Sequence, residues 1–249
     1  MKADQPGTGY KNGTYGSYSG FDIRIAYMAA GALGKEPKFD DVASDERQTA
    51  LGRETPHLVV ATFSITDDRL AGKTTKPAVD FVGPYAKTQS GILVREGDRP
   101  GIHDLPDLKD KRVCTWPGTT SGVMASDVLP HYQEVEADDA GDCVRRLTGK
   151  QGVDAVFTDT LLLQGFAQKD KSLEVVAPKS GNFQYYGIAL PKGHRDACEK
   201  IKGELKRYMG SGDWDRDFST NFPSIKNMGA YKPTPLQVEK FSCRDKVGR

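Results

Sequence analysis

The sequence lacks most of the features that assign a chain to a chemistry at sight. None of its apolar runs approaches the ~18 residues that a membrane helix needs. It has no excess of charge of one sign: 35 basic minus 34 acidic residues leaves +1. That balance argues against a strongly basic nucleic-acid binder. It has no internal repeats, low-complexity tracts or long single-sign charge runs. The opening MKADQPGTGY carries no apolar signal-peptide core. Hydrophobic residues, at 37%, recur along all 249 positions, so an acidic disordered chain is excluded and a sizeable buried core is expected.

Nucleotide and hydrolytic motifs are missing too. There is no G-x-x-x-x-G-K-[ST] loop, no H-E-x-x-H and no G-x-S-x-G. Gly7-Thr8-Gly9 does not lie between a strand and a helix as a dinucleotide loop would. The four histidines, His57, His103, His131 and His194, are scattered among polar neighbours and read as surface residues. No metal and no cofactor is expected.

Cysteine is sparse but informative. Cys114, Cys143, Cys198 and Cys243 form an even, widely spread set with no C-x-x-C pair. That pattern fits two long-loop disulfides better than a metal site. Each closed loop would contribute roughly 3–4 kcal/mol on the chain-entropy account. Three pairings are possible and spacing does not choose among them. Four unpaired core thiols of a cytosolic protein are the competing reading.

Short apolar runs alternate with longer helical patterns. Residues 20–33, GFDIRIAYMAAGAL, place Phe21, Ile25, Met28 and Ala32 at helical spacing, with Gly34 as the stop. Strands are expected at 58–63 (LVVATF), 79–81, 91–94, 111–115, 153–158 and 187–190. Helices are expected from Thr120 or Ser121 to Leu129, and over 143–148, 160–167, 197–209 and 214–222. This alternation predicts α/β sheets with helices on both faces. No Pro/Gly-rich linker divides the chain, which leaves one unit or two lobes with interleaved chain.

Three segments carry chemistry. In ATFSITDDR, at 61–69, a β-run ends in the hydroxyls Thr62, Ser64 and Thr66, followed by acids and Arg69. An arginine fork beside hydroxyl and backbone donors can hold a carboxylate in a bidentate way. The competing reading is a strand end with a surface arginine. In VCTWPGTTS, at 113–121, a strand and a Pro-Gly turn lead into a hydroxyl-rich helix start that attracts an anion; an ordinary helix cap would look the same. VDAVFTDT places Asp159 just after a strand, facing a cleft or capping the next helix. Arginine fork, helix-end amides and a lone carboxylate together suit a zwitterion with a carboxylate and an ammonium.

In order and spacing, these segments resemble the family 3 extracellular solute-binding proteins, the amino-acid receptors of ABC importers. The resemblance runs through GFDIRIAYMAAGALG, ATFSITDDR, VDFVGPY, GILV, DLKDKRVCTWPGTTS, GVDAVFTDT, YYGIALPKG and GSGDWDRDFSTNF, and covers nearly the whole chain. The DQPG start and the cysteine placement are similar to glutamate-type receptors of Gram-positive, especially actinobacterial, bacteria. The fold this implies is α/β, periplasmic-binding-protein-like type II: two α/β lobes joined by two crossing hinge strands around a ligand cleft. Lobe one would hold 1–87 and 186–249, lobe two 91–182, and the hinge 88–90 and 183–185.

The resemblance also implies residue roles. Arg69 would clamp the α-carboxylate, with Ser64 supplying backbone N–H and hydroxyl. The Thr62 carbonyl would accept from the α-ammonium, Thr119 and Thr120 would donate to the carboxylate, and Asp159 would pair with the ammonium. Asp4, in the DQPG start, falls in the ligand set. Lys2 falls where dicarboxylate-binding relatives place a basic residue, so it would meet a side-chain carboxylate or else remain solvated. Trp116 would wall the side-chain pocket or pack on the lobe. The implied disulfides are Cys114–Cys143 and Cys198–Cys243. Gly7 and Ser44 stand where glutamine-binding relatives carry sandwiching aromatics, which weakens a glutamine reading. Residues 52–57 and 70–77 depart from the family pattern and would alter the cleft rim.

The function implied is capture of a polar or acidic L-amino acid, glutamate first, then aspartate, glutamine or asparagine. The protein would be a non-enzymatic monomer that docks on an ABC permease and has no nucleic-acid partner. It would stand on the extracellular face of the cell membrane, on a lipid anchor carried by a segment that is not in this chain. A sensor domain coupled to a receptor or kinase would use the same cleft. An enzyme of the cyclohexadienyl dehydratase type shares the fold; it would need a general acid, for which only Asp159 and Glu46 are available.

Overall fold

Residues 21–32 form a helix because apolar side chains recur on one face and a left-handed glycine ends it. Phe21, Ile25 and Ala29 are buried, Gly34 has φ +66°, and the Lys35 N–H returns to the Ala30 carbonyl. A computed structural model of the chain describes residues 1–13, 16–53, 57–73, 75–149, 152–179, 181 and 183–245. Its strands are β1 (Asp4–Gln5), β2 (Gly9–Lys11), β3 (Tyr18–Ser19), β4 (Val79–Arg95), β5 (Arg112–Thr115), β6 (Gln133–Glu136), β7 (Ala155–Asp159), β8 (Leu173–Val176) and β9 (Phe183–Pro191). Its helices are α1 (Phe21–Ala32), α2 (Arg47–Leu51), α3 (Asp67–Ala71), α4 (Thr120–Val128), α5 (Ala140–Thr148), α6 (Thr160–Lys169), α7 (Arg195–Gly210), α8 (Asp213–Asn221) and α9 (Pro235–Phe241).

The chain divides into two units. The first holds Met1–Ala3, Thr8–Lys87 and Tyr185–Arg249; the second holds Asp4–Gly7 and Thr88–Gln184. The strands β4 and β9 each run through a boundary. Asp4–Gly7 goes with the second unit, where the sequence reading ran the first lobe unbroken from 1 to 87. The reason is local: the Gly141 N–H at the start of α5 donates to Asp4 Oδ2 at 3.2 Å, and Gly165 on α6 lies so close to the Pro6 carbonyl that a Cβ would sit 1.8 Å from it. Residue 182, at the expected end of lobe two, and residues 246–249 lie outside the described residues. So do 54–56 and 74, within the two segments that depart from the family pattern.

In the second unit the sheet order is β6-β5-β7-β4-β8, with β5 parallel to β6 and β7, and β4 antiparallel to β7 and β8. Successive residues of its strands feed different cores. Ile92, Val94, Val113, Ala155 and Phe157 pack with Ala125 and Leu129 of the α4 region. Leu93, Cys114 and Val156 pack with Cys143, Leu147, Leu162 and Phe166 of α5 and α6. A sheet covered on both faces needs apolar residues at every position, which is why these strands read as continuous apolar runs. Polar β6 went unpredicted because it is an edge strand with mostly exposed side chains.

In the first unit Phe21 meets Trp214 edge-on at 5.4 Å, and Trp214 stacks on Phe218 at 4.7 Å. The Trp214 indole N–H donates to the Tyr85 carbonyl at 2.7 Å. The run at 58–63 does not form the expected strand. The run and the residue after it touch β9 at two isolated bridges, Val59 to Ala189 and Ser64 to Tyr186, with the backbone breaking between them at Thr62, whose φ is +46°. The strands expected at 79–81 and 91–94 are parts of one strand, β4.

The disulfides are Cys114–Cys143, tying β5 to α5, and Cys198–Cys243, tying α7 to the segment after α9. Each lies within one unit. The Cα atoms are 5.6 and 5.9 Å apart, a separation a disulfide spans without backbone movement. Replacing Cys114 and Cys143 together by alanine should destabilise the second unit by about 2–4 kcal/mol. Urea unfolding followed by a probe in that unit checks this; an unchanged midpoint would contradict it.

Candidate ligand-binding site

In the first unit, candidate residues converge on the turn at 61–64. Phe63 is buried, and two guanidinium groups stand over its ring, Arg47 at 4.5 Å and Arg69 at 4.4 Å. Arg69 is only 8% exposed; its Nη1 donates to the Ser64 carbonyl at 2.6 Å. Its place on α3 is set by the Thr66 cap, whose hydroxyl accepts from the Arg69 backbone N–H. The reading of Arg69 as a surface residue at a strand end is thereby corrected. A guanidinium fixed by a carbonyl and an aromatic face can present its remaining N–H donors to a carboxylate.

Thr62 is held from two sides. Its N–H donates to Asp22 Oδ2 at 2.9 Å, and its carbonyl accepts from Arg47 Nη1 at 3.1 Å. Arg47 also donates to the Ala61 carbonyl at 2.9 Å and, through Nε, to the Ser44 carbonyl at 2.9 Å. Lys2 belongs to the same neighbourhood. It is 3% exposed, with Nζ donating to Ser44 Oγ at 3.3 Å and to the Val42 carbonyl at 3.4 Å. Lys2 is therefore not the solvated side chain that one reading expected.

In the second unit the candidates sit at helix starts. Thr119 caps α4: its hydroxyl accepts from the Gly122 N–H at 2.9 Å and donates to the Trp116 carbonyl at 3.0 Å. Thr120 opens that helix. Asp159 ends β7, is 6% exposed and makes no capping bond to α6. That bond comes instead from Thr88 on β4, whose Oγ1 accepts from the Leu161 N–H at 3.0 Å. Trp116 is 2% exposed and packs in the core beside the Cys114–Cys143 disulfide. Asp4 gives its carboxylate to the start of α5. The structure thus groups Lys2, Thr62, Ser64 and Arg69 in one unit, and Asp4, Trp116, Thr119, Thr120 and Asp159 in the other.

Sequence reasoning missed four polar residues. Arg47 lies in a polar stretch without periodicity, so its burial left no trace. Asp22 did leave one: an acid next to Phe21 on an otherwise apolar buried face must be matched inside the fold. Ser90 and Ser121 are buried, and no described residue hydrogen-bonds their Oγ atoms. Ser90 lies directly across from Asp159 in the β4–β7 register, and Ser121 is in the first turn of α4. An unsatisfied buried hydroxyl costs about 1–3 kcal/mol, which marks both positions.

The chain matches the family of bacterial extracellular solute-binding proteins, family 3, over residues 1–223. It is 31% identical over 233 residues to the glutamate-binding protein GluB of Corynebacterium efficiens, an alignment covering 88% of this chain and 76% of that protein. It is 31% identical to the ABC transporter glutamine-binding protein GlnH of Bacillus subtilis, covering 86% and 77%. The fold is that of the amino acid ABC transporter substrate-binding protein AbpA from Streptococcus pneumoniae, solved with L-arginine, at a TM-score of 0.80 and 22% identity over 90% of this chain and 92% of that one. A two-lobed α/β chain matched over this length belongs to the bacterial extracellular solute-binding proteins of family 3.

Burial raises the Asp22 carboxyl to about 6, against the lowering pull of the Tyr85 and Thr62 hydrogen bonds. A carboxyl raised in the folded state favours folding below its unfolded pKa, and that contribution is lost as pH rises through about 6. The Met1 α-ammonium, lowered to about 6 mainly by burial, works in the opposite sense. The comparison with Asp22→Asn therefore isolates the carboxyl. Between pH 7 and pH 5 the parent should gain about 1 kcal/mol relative to Asp22→Asn, read from urea midpoints; parallel profiles would contradict this.

Proposed function

We propose that this protein captures an L-amino acid outside the cytoplasm and delivers it to an ABC permease, with glutamate first among the acidic and polar candidates. The buried Arg69 guanidinium, fixed by the Ser64 carbonyl and the Phe63 ring, carries the reading. Arg69 takes the α-carboxylate through two parallel N–H bonds, with the Ser64 N–H and hydroxyl beside it. Thr119 and Thr120, at the start of α4, add donors to the same carboxylate. Asp159 takes the α-ammonium, with the Thr62 carbonyl as a second acceptor. Ser90 and Ser121 are further partners for the ligand. Lys2, whose ammonium is held near Ser44, supplies the positive charge that an acidic side chain needs. The glutamate-binding and glutamine-binding relatives support an acidic or polar amino acid, and the buried Lys2 ammonium favours the acidic one.

A ligand bonded to residues of both units binds most strongly to the state in which all those bonds are made. That state is the one a permease would receive. The ligand leaves chemically unchanged, and the protein acts as a monomer.

A thermal-shift screen against the twenty amino acids tests the ligand class. At 100 times its dissociation constant a ligand adds about 2.7 kcal/mol of stability. Acidic or polar amino acids should raise the melting temperature; no shift with any amino acid would overturn the proposal. Arg69→Ala and Asp159→Ala should each cost on the order of 2–5 kcal/mol of binding, a fall of at least ~30-fold by calorimetry. Arg69→Lys should lose nearly as much, because an ammonium cannot reproduce the fork. If both alanine variants bind within threefold of the parent, the assigned site is wrong.

A further inference from the structure

We propose that Asp22, Tyr85 and Arg47 are positioning residues: a buried clamp that holds Thr62 in a left-handed conformation and thereby sets ligand affinity. The inference rests on the assignment of Thr62, Ser64 and Arg69 to the ligand. None of the three clamp residues has a place on the ligand in that assignment.

Thr62 is β-branched, and its φ of +46° lies where such residues are rarely found. Strain of this kind persists only where the surroundings over-determine it. Here they do. Asp22, fully buried on α1, accepts from the Thr62 N–H at 2.9 Å through one carboxylate oxygen and from the Tyr85 hydroxyl at 2.8 Å through the other. Tyr85 is itself fully buried on β4. From α2, Arg47 grips the Ala61 and Thr62 carbonyls. The N–H and C=O of one residue are thus fixed by two different elements. The break at Thr62 separates the bridge at Val59 from the bridge at Ser64. It therefore decides where Phe63, the ring under Arg69, and Ser64, whose carbonyl holds Arg69, come to lie. Without the clamp the segment would relax toward the extended conformation its composition favours, and the carboxylate fork would lose its mount.

Glycine adopts the left-handed region without a clamp, and that supplies the test. Calorimetric titration with L-glutamate, L-aspartate, L-glutamine and L-asparagine would compare the parent with Asp22→Ala, Arg47→Met, Thr62→Gly, Asp22→Ala/Thr62→Gly, Arg47→Met/Thr62→Gly and Arg69→Ala. Asp22→Ala and Arg47→Met should each weaken the best ligand about tenfold or more, the worth of one charge-assisted hydrogen bond. Thr62→Gly, which keeps the backbone carbonyl, is the reference against which each double variant is read. Adding Thr62→Gly to either clamp variant should recover most of the loss. A residue that merely supported the fold would give a loss that glycine does not repair. If Asp22→Ala fails to fold, Arg47→Met, which keeps an unbranched apolar stem and loses the guanidinium with its donors and its place over Phe63, gives the same comparison. The clamp is overturned if the foldable clamp variants bind within threefold of the parent, or if Thr62→Gly restores nothing. Loss of binding in Arg69→Ala beside intact clamp variants would sink the clamp and leave the site standing. Unchanged binding in Arg69→Ala, or no binding by the parent, would remove the site and the clamp with it.

Discussion

A threonine in the left-handed region carries a steric penalty of about 1–2 kcal/mol, and Thr62 is kept there by a buried carboxylate and a buried guanidinium. Most of the first unit's candidate site follows from that constraint. The run at 58–65 is apolar and β-prone, and pairing with β9 resumes on either side of the break. At the break the chain turns, Phe63 enters the core, and its ring becomes a surface for two guanidinium groups. The carboxylate that secures the turn is itself raised toward neutrality by burial.

The second unit meets a different constraint. Its sheet is covered on both faces, so only the ends of strands and the starts of helices are left for polar chemistry. Asp159 stands at such an end. The capping bond a carboxylate there would ordinarily make is supplied by Thr88 from the neighbouring strand. Trp116 and the Cys114–Cys143 disulfide pack one face of the same sheet and hold β5 against α5, close to the helix start that Thr119 caps.

What could be read from the sequence follows the range of the interactions involved. Helix α1 was legible from a one-face apolar pattern ended by Gly34, and β5, β7, α6 and α7 from runs long enough to show a period. Arg69, Thr119 and Asp159 stand in contiguous motifs, so they could be named as candidates from the sequence, and the structure finds Arg69 and Asp159 buried and Thr119 capping α4. The break at Thr62 was not: nothing in LVVATF distinguishes it from a strand, and its cause lies in Asp22 and Arg47, 40 and 15 residues distant in sequence. The short helices α2, α3 and α9 fall below the length at which periodicity declares itself. Lys2 was ambiguous because an ammonium beside Ser44 and the Val42 carbonyl depends on a segment some forty residues away. The contact of Asp4 with the start of α5 was hidden for the same reason, its partner Gly141 lying 137 residues away in sequence.

In the proposed site, Arg69 reads the α-carboxylate of an amino acid. A cycle that changes protein and ligand together tests it most directly: calorimetric titration of the parent and of Arg69→Ala with L-glutamate and with its α-amide, in which that carboxylate is neutral. The amide should bind the parent at least ~30-fold more weakly than L-glutamate, and Arg69→Ala should no longer distinguish the two. A discrimination that survives unchanged in Arg69→Ala would show that another group reads the carboxylate.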